Sequence, residues 1–192
     1  MSRSALPVAL VALAALVTLG AGASPAPVAV TEGPGKAAFQ VVDVPAIKTL
    51  LHKSRGHVVL LHFWASWCYP CLKELPLIDR FAREMRPRGL EVLSLSLDNP
   101  ARVGARVGAL LQRSAPSLTP NIVQFDDADE LISAIDPSWV GAIPALFVYD
   151  HQGQLRGNLI GEASRAELDH LVGTLLKTAA AAAPPGATKN AH

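Results

Sequence analysis

Only two cysteines occur in this chain, Cys68 and Cys71, and they stand where an apolar run hands over to a helical pattern. Val58 to Trp64 is apolar except for His62, the pattern of a strand buried on both faces of a sheet. From Tyr69 to Met85, the residues Leu72, Leu75, Ile78, Ala82 and Met85 recur at helical spacing. This handover puts Cys68 at a helix N-terminus, where unpaired N–H groups and the helix dipole favour an anion. The thiolate is the reactive form of cysteine, and such a position lowers its pKa from about 8.5 to between about 3.5 and 7.5. Two intervening residues let Cys71 reach the Cys68 sulfur within the first turn. Pro70 suits that turn, where a missing N–H costs nothing. The pair reads as a redox centre in which Cys68 attacks a substrate disulfide and Cys71 resolves the mixed disulfide. A bare CxxC also admits a pair of buried structural thiols; its place between strand and helix, beside Trp67, favours redox chemistry.

What the chain lacks narrows the class further. A secreted domain stapled by disulfides carries several cysteines at wider spacing, and a structural zinc site needs two more ligands. No metal and no cofactor beyond the Cys68–Cys71 pair are expected. With 17 basic and 16 acidic residues the formal net charge is +1. No basic stripe stands out, so neither nucleic acid nor an anionic membrane surface is an expected partner.

Four segments are expected along the chain. Residues 1–23 combine Arg3, an apolar stretch from Ala5 to Leu19 and the small residues Ala21-Gly22-Ala23, an export signal. An uncleaved anchor is the alternative, since the run approaches the roughly 17–25 residues that span a bilayer. Residues 24–36 are rich in proline and glycine and read as a linker. A domain is expected over 37–178. Residues 179–192 read as a frayed helix end and a disordered tail. Within the domain, helices are predicted over Val44–Lys53, Tyr69–Met85 (kinked at Pro76), Asn99–Gln112 and Asp127–Ile135, with a last one after the capping box Ser164–Glu167. Strands are predicted over Val58–Trp64, Leu90–Leu97, Asn121–Phe125, Ala145–Tyr149 and Leu155–Ile160, the last two a hairpin across Asp150–Gly153. This order describes an α/β fold, a mixed sheet with helices on its faces.

The segment Phe63-Trp64-Ala65-Ser66-Trp67-Cys68-Tyr69-Pro70-Cys71 resembles the thioredoxin active-site segment. Leu72-Lys73-Glu74-Leu75-Pro76, and the later Asp136-Pro137-Ser138-Trp139-Val140-Gly141-Ala142-Ile143-Pro144, are similar to the TlpA/ResA-like branch of exported disulfide reductases. The likeness runs from about Phe39 to Lys177. It implies a thioredoxin-like three-layer fold with an αβ insertion. It also implies that Ile143 and Pro144 form a cis-proline loop lying against the CxxC, and that this loop and Trp67 hold substrate. An ordinary proline at the start of a strand is the other reading of Pro144. Glu74 matches a carboxylate that this branch keeps beyond the CxxC, one helical turn past Cys71. Proton exchange with the thiols and simple solvation on the helix surface both fit it. His62 departs from the pattern, because thioredoxin has an acid there and this branch often has Asn. It fits a core residue with its nitrogens hydrogen-bonded, or a base that assists Cys71.

The function implied is an exported protein disulfide oxidoreductase that reduces client proteins, of the cytochrome c maturation or copper-site assembly type. A membrane thiol-electron donor of the DsbD/CcdA kind would keep it reduced, and a monomer is expected. Two alternatives use the same cysteines. Two thiolates suit Cu(I), which makes a copper carrier conceivable, although Met85 is the sole methionine after the signal. An oxidase or isomerase would run the same exchange in the opposite direction, and about 30 mV changes that equilibrium tenfold.

Overall fold

The computed structural model describes residues 30–31 and 39–182. Its strands are β1 (Val30–Thr31), β2 (Phe39–Val42), β3 (Val58–Trp64), β4 (Leu90–Ser96), β5 (Asn121–Val123), β6 (Ala145–Tyr149) and β7 (Leu155–Ile160). Its helices are α1 (Val44–Lys53), α2 (Tyr69–Met85), α3 (Pro100–Ser114), α4 (Ala128–Ile135) and α5 (Arg165–Ala182). The strands form one sheet in the order β1-β2-β5-β4-β3-β6-β7. Pairs β2–β5, β5–β4 and β4–β3 are parallel, and β1–β2, β3–β6 and β6–β7 are antiparallel. The expected mixed sheet is present, with β3 in its interior and all seven β3 side chains buried.

Alternation along β3 sorts the core into two halves. Val58, Leu60 and Trp64 face Leu75, Ile78 and Phe81 of α2, Val107 and Leu111 of α3, and Leu168, Val172 and Leu176 of α5. Val59, Leu61 and Phe63 face Val44 and Ile47 of α1 and Leu131 and Ile135 of α4. Helices on both faces make the three layers. Phe63, Phe147 and Trp139 pack as an aromatic cluster with ring centroids 5.0–5.9 Å apart.

Local chemistry sets the helix starts as read from the sequence. The Asp43, Asn99 and Asp127 side chains accept from Ala46, Ala101 and Asp129 N–H, each at 2.7–3.0 Å. Helix α2 runs through Pro76 to Met85. Several boundaries differ from expectation. β4 stops at Ser96, β5 at Val123, and α3 reaches Ser114. The strands β1 and β2 were not expected, and β1 falls inside the stretch read as a linker. Both are short and exist through pairing, Thr31 with Phe39 and Val42 with Val123, so no local periodicity announces them. The signal segment 1–23, most of the linker 24–36 and the tail beyond Ala182 lie outside the described residues.

Candidate active site

The last residue of β3, Trp64, donates its indole N–H to Ser94 Oγ at 2.9 Å, which locks the strand end. The chain then turns through Ala65-Ser66-Trp67, with Cys68 N–H on Ala65 O at 3.1 Å. Asp98 holds this turn from just past the end of the neighbouring strand β4. Its buried carboxylate accepts Ser66 N–H at 2.7 Å, the Ser66 hydroxyl at 2.8 Å and the Ser96 hydroxyl at 2.7 Å. Neither Asp98 nor Ser66 was singled out from sequence. The available signal was topological: β4 runs parallel to β3 with Trp64 opposite Ser96, so residues just past the two strand ends must meet.

Cys68 is the N-cap of α2, with extended backbone at φ −91° and ψ 101°. Its sulfur takes the place of the usual capping oxygen and accepts Cys71 N–H at 3.3 Å. A helix N-terminus that stabilises a capping anion stabilises a thiolate at the same point. Cys68 and Cys71 form a disulfide, 2.06 Å between sulfurs. Cys68 is 6 % exposed and Cys71 fully buried, so an incoming group meets Cys68 first. Trp67 and Tyr69 flank Cys68 in sequence and are 70 % and 72 % exposed.

The Ile143–Pro144 peptide is cis, and the Ile143 carbonyl oxygen lies 3.9 Å from Cys68 Sγ. The long loop before β6 thus comes to the same point as the start of α2. That loop also presents Val140, 84 % exposed. At the rim, Lys73 pairs with Glu162 at 3.0 Å; the Glu162 hydrogen bond and charge hold the ammonium above the ordinary lysine range.

His62 and Glu74 meet beneath this surface. His62 Nε2 lies 2.8 Å from Glu74 Oε1, both side chains fully buried. Glu74 Oε2 accepts Ala163 N–H at 3.0 Å. The solvated reading of Glu74 therefore fails, because the residue is 2 % exposed. His62 is fully buried with Nε2 paired to Glu74, and among the described residues its Nδ1 has no hydrogen-bond partner. The structure thus brings Ile143 to the Cys68–Cys71 pair, with Trp67 exposed next to Cys68 in sequence and His62 of β3 paired to Glu74 of the cysteine helix.

The sequence profile of the AhpC/TSA family matches residues 35–157. The chain is 28 % identical over 131 residues to thiol-disulfide oxidoreductase ResA of Bacillus cereus, covering 68 % of this chain and 70 % of that protein. It is 23 % identical to the thioredoxin-like protein YneN of Bacillus subtilis, covering 74 % and 79 % of the two chains. Among solved structures, a thioredoxin family thiol:disulfide interchange protein of Chlorobium tepidum overlays with a TM-score of 0.54. That overlay has 22 % identity and covers 81 % of this chain and 99 % of the other. A DsbE-like protein of the same organism gives 0.53 at 24 % identity, with 66 % and 84 % covered. Identities this low show the shared thioredoxin-like fold. With the profile match, that fold and the Cys68–Cys71 pair together, the chain belongs to the AhpC/TSA family, as a thioredoxin-like thiol-disulfide oxidoreductase.

Proposed function

We propose that this enzyme is exported and works as a dithiol reductase of disulfide-bearing client proteins. The observation that carries the reading is the Cys68 sulfur on the N-cap of α2, accepting the Cys71 amide. In the reduced protein the Cys68 thiolate attacks one sulfur of a client disulfide. A Cys68–client bond forms and the other client sulfur leaves as a thiolate. Cys71 then attacks Cys68 Sγ, the Cys68–client bond breaks, and the second client thiolate leaves. The client gains two electrons and the enzyme is left as the Cys68–Cys71 disulfide, the form described above. A dithiol donor must return those electrons.

Export is supported by the signal-like residues 1–23; among the described residues no helix is long and apolar enough to cross a membrane. The reducing direction is supported by the likeness to the ResA proteins and by Pro70 between the cysteines. On the same likeness, apocytochrome c or copper-site assembly factors are the client class, and a membrane transporter of the DsbD/CcdA kind is the donor.

Equilibration of the purified protein with thiol–disulfide buffers tests the direction. A reduction potential below about −200 mV is expected, and one near the roughly −120 mV of a strong oxidant would reverse the assignment. Insulin reduction should vanish in Cys68→Ser, whereas Cys71→Ser should accumulate mixed disulfides at Cys68. Tight Cu(I) binding without insulin reduction would replace the reductase with a carrier.

A further inference from the structure

Arginines scattered along the sequence are gathered by the fold onto one side of the sheet. Helices α2 and α3 lie on the same sheet face, where Leu75 and Ile78 of the first share a core with Val107 and Leu111 of the second. Their far ends are tied together. Asp79 of α2 accepts Ser117 N–H at 2.8 Å just past α3, and Arg86, just past α2, donates to Ser117 O at 3.2 Å. The outer surface of this pair carries exposed Arg80, Arg83 and Arg86 on one helix and its end, and exposed Arg102, Arg106 and Arg113 on the other. Spacings of four and seven put the three α3 arginines in one stripe along that helix. Both helices are about 20–25 Å long, so the guanidinium groups are spread over a broad face.

Little on this side neutralises them. The sequence holds no acidic residue between Asp98 and Asp126. Asp79 is buried and pairs with Arg83, and Glu84 is taken by Arg165 of α5. Among the described residues Arg80, Arg86, Arg102, Arg106 and Arg113 form no ion pair. The opposite sheet face mixes signs, with Lys48 and Lys53 on α1 and Asp127, Asp129 and Glu130 at the start of α4. A formal net charge of +1 therefore hides a face of nearly single sign.

The make-up of this face selects its partner. A protein partner needs aromatic or apolar anchors near the centre of the contact. The exposed large hydrophobics are Trp67, Tyr69, Val140 and Ile160, and none lies on α3 or on the second half of α2. A phospholipid surface asks only for cations spread in a plane. Arginine suits it, because its fork of N–H groups grips a phosphate with two parallel hydrogen bonds. The topology points the same way. β1, the first described strand after the apolar residues 5–19, is the sheet edge beside β2, over which α3 packs.

Resting on the exported dithiol reading above, we propose that the arginine face of α2 and α3 docks the enzyme on an anionic phospholipid surface. This sets aside the expectation, drawn from a sequence without a basic stripe, that no such surface is a partner. In this pose the axis of α2 runs along the membrane. Cys68, at the N-terminus of α2, stays uncovered at the edge of the contact, open to a dithiol donor held in that membrane.

The test is co-sedimentation of the purified exported chain with vesicles of equimolar phosphatidylglycerol and phosphatidylcholine, beside vesicles of phosphatidylcholine alone. The wild-type chain should bind the first and not the second. Salt at about 1 M, where the Debye length is only about 3 Å, should release it. Arg102→Gln, Arg106→Gln and Arg113→Gln together should weaken binding by about 10²-fold, with insulin reduction in solution at the wild-type rate. Lys48→Gln, Lys53→Gln and Arg55→Gln remove the same charge from the other side and should leave most of the binding. Equal loss in both triple variants, or equal binding to the two kinds of vesicle, overturns the proposal. Binding to soluble polyglutamate but not to vesicles overturns it in favour of an acidic protein. Should the α3 variant fail to fold, retention of the wild-type chain on the anionic vesicles at about 1 M salt decides against it. Vesicle binding without insulin reduction would overturn the dithiol reading and leave the docking face standing.

Discussion

Asp98 does at the scale of one residue what the active-site segment cannot do alone. Ala65, Ser66 and Trp67 lie between strand and helix, and beyond the Cys68 N–H on Ala65 O the turn that delivers Cys68 to its cap is held by the Ser66 contacts to Asp98. Hydrogen bonds to a buried charged group contribute about 1.5–3 kcal/mol each, and removing the acceptor leaves the donors unpaired. Asp98→Ala should therefore lower stability by about 2–4 kcal/mol, read as a shift in urea midpoint. It should also slow insulin reduction more than Asp98→Asn does, because the amide still offers one oxygen to Ser66. Equal turnover of both variants and the wild-type chain would show that the turn stands without this carboxylate. The cysteines were legible from spacing and context. Asp98 was not, because its role exists through the β3–β4 register and leaves no mark on its own sequence neighbours.

At the scale of the element, the helices begin where their capping residues dictate. Asn99 accepts Ala101 N–H at 3.0 Å and Pro100 fills the first helical position of α3. Asn99→Ala should lower stability by about 1 kcal/mol with little change in insulin reduction, measured by urea titration beside turnover. Helix α5 opens on the Ser164–Glu167 box, with Ser164 N–H on Glu167 at 2.8 Å and Glu167 N–H on Ser164 Oγ at 3.3 Å. The turn before it is fastened to α2 through Lys73–Glu162 and through Ala163 N–H on Glu74. The first is an exposed ion pair of small worth. The second is buried, and it seats the cysteine helix against the start of α5. Caps and amphipathic stripes are local, which is why α1, α2 and the β6–β7 hairpin were legible to the residue. The fastening of α2 to α5 was not, since nothing in Leu72-Lys73-Glu74 says which surface Glu74 meets.

Across the whole molecule, buried carboxylates set the response to acid. Asp79 joins α2 to the loop after α3, accepting Ser117 N–H at 2.8 Å, the Ser117 hydroxyl at 2.6 Å and Arg83 Nε at 3.1 Å. Burial pushes its pKa up, but the Ser117 hydrogen bonds and Arg83 outweigh burial and hold the carboxyl below its ordinary range. At Asp150 burial likewise pushes the pKa up, and hydrogen bonds from the Gln154 N–H, Arg156 and the Gln152 N–H outweigh it and hold the carboxyl below its ordinary range. A depressed folded-state pKa stabilises the fold above the unfolded value, near 3.9 for aspartate, and that stability is lost as pH falls towards the folded value. The wild-type chain should therefore lose stability from about pH 4 downward. Asp79→Asn should be less stable at pH 7 yet show a flatter acid limb, measured as urea midpoints at pH 7 and pH 3. A parallel acid limb in the variant would show that Asp79 does not contribute to it.

Sequence by itself determined the central strand, the helix that follows it, and the placing of two cysteines at their junction. Each of these rests on hydrophobic period, capping and backbone chemistry within a few residues. Tertiary structure alone decided the rest: the short strands β1 and β2, the Asp98 clamp, the approach of Ile143 to Cys68, and the closing of Glu74 onto His62. Across them, Thr31 pairs with Phe39, 8 positions away, and Glu74 meets Ala163, 89 positions away. Their partners are chosen by strand order and helix seating, and a buried polar group shows which partner satisfies it only once the chain has closed around it.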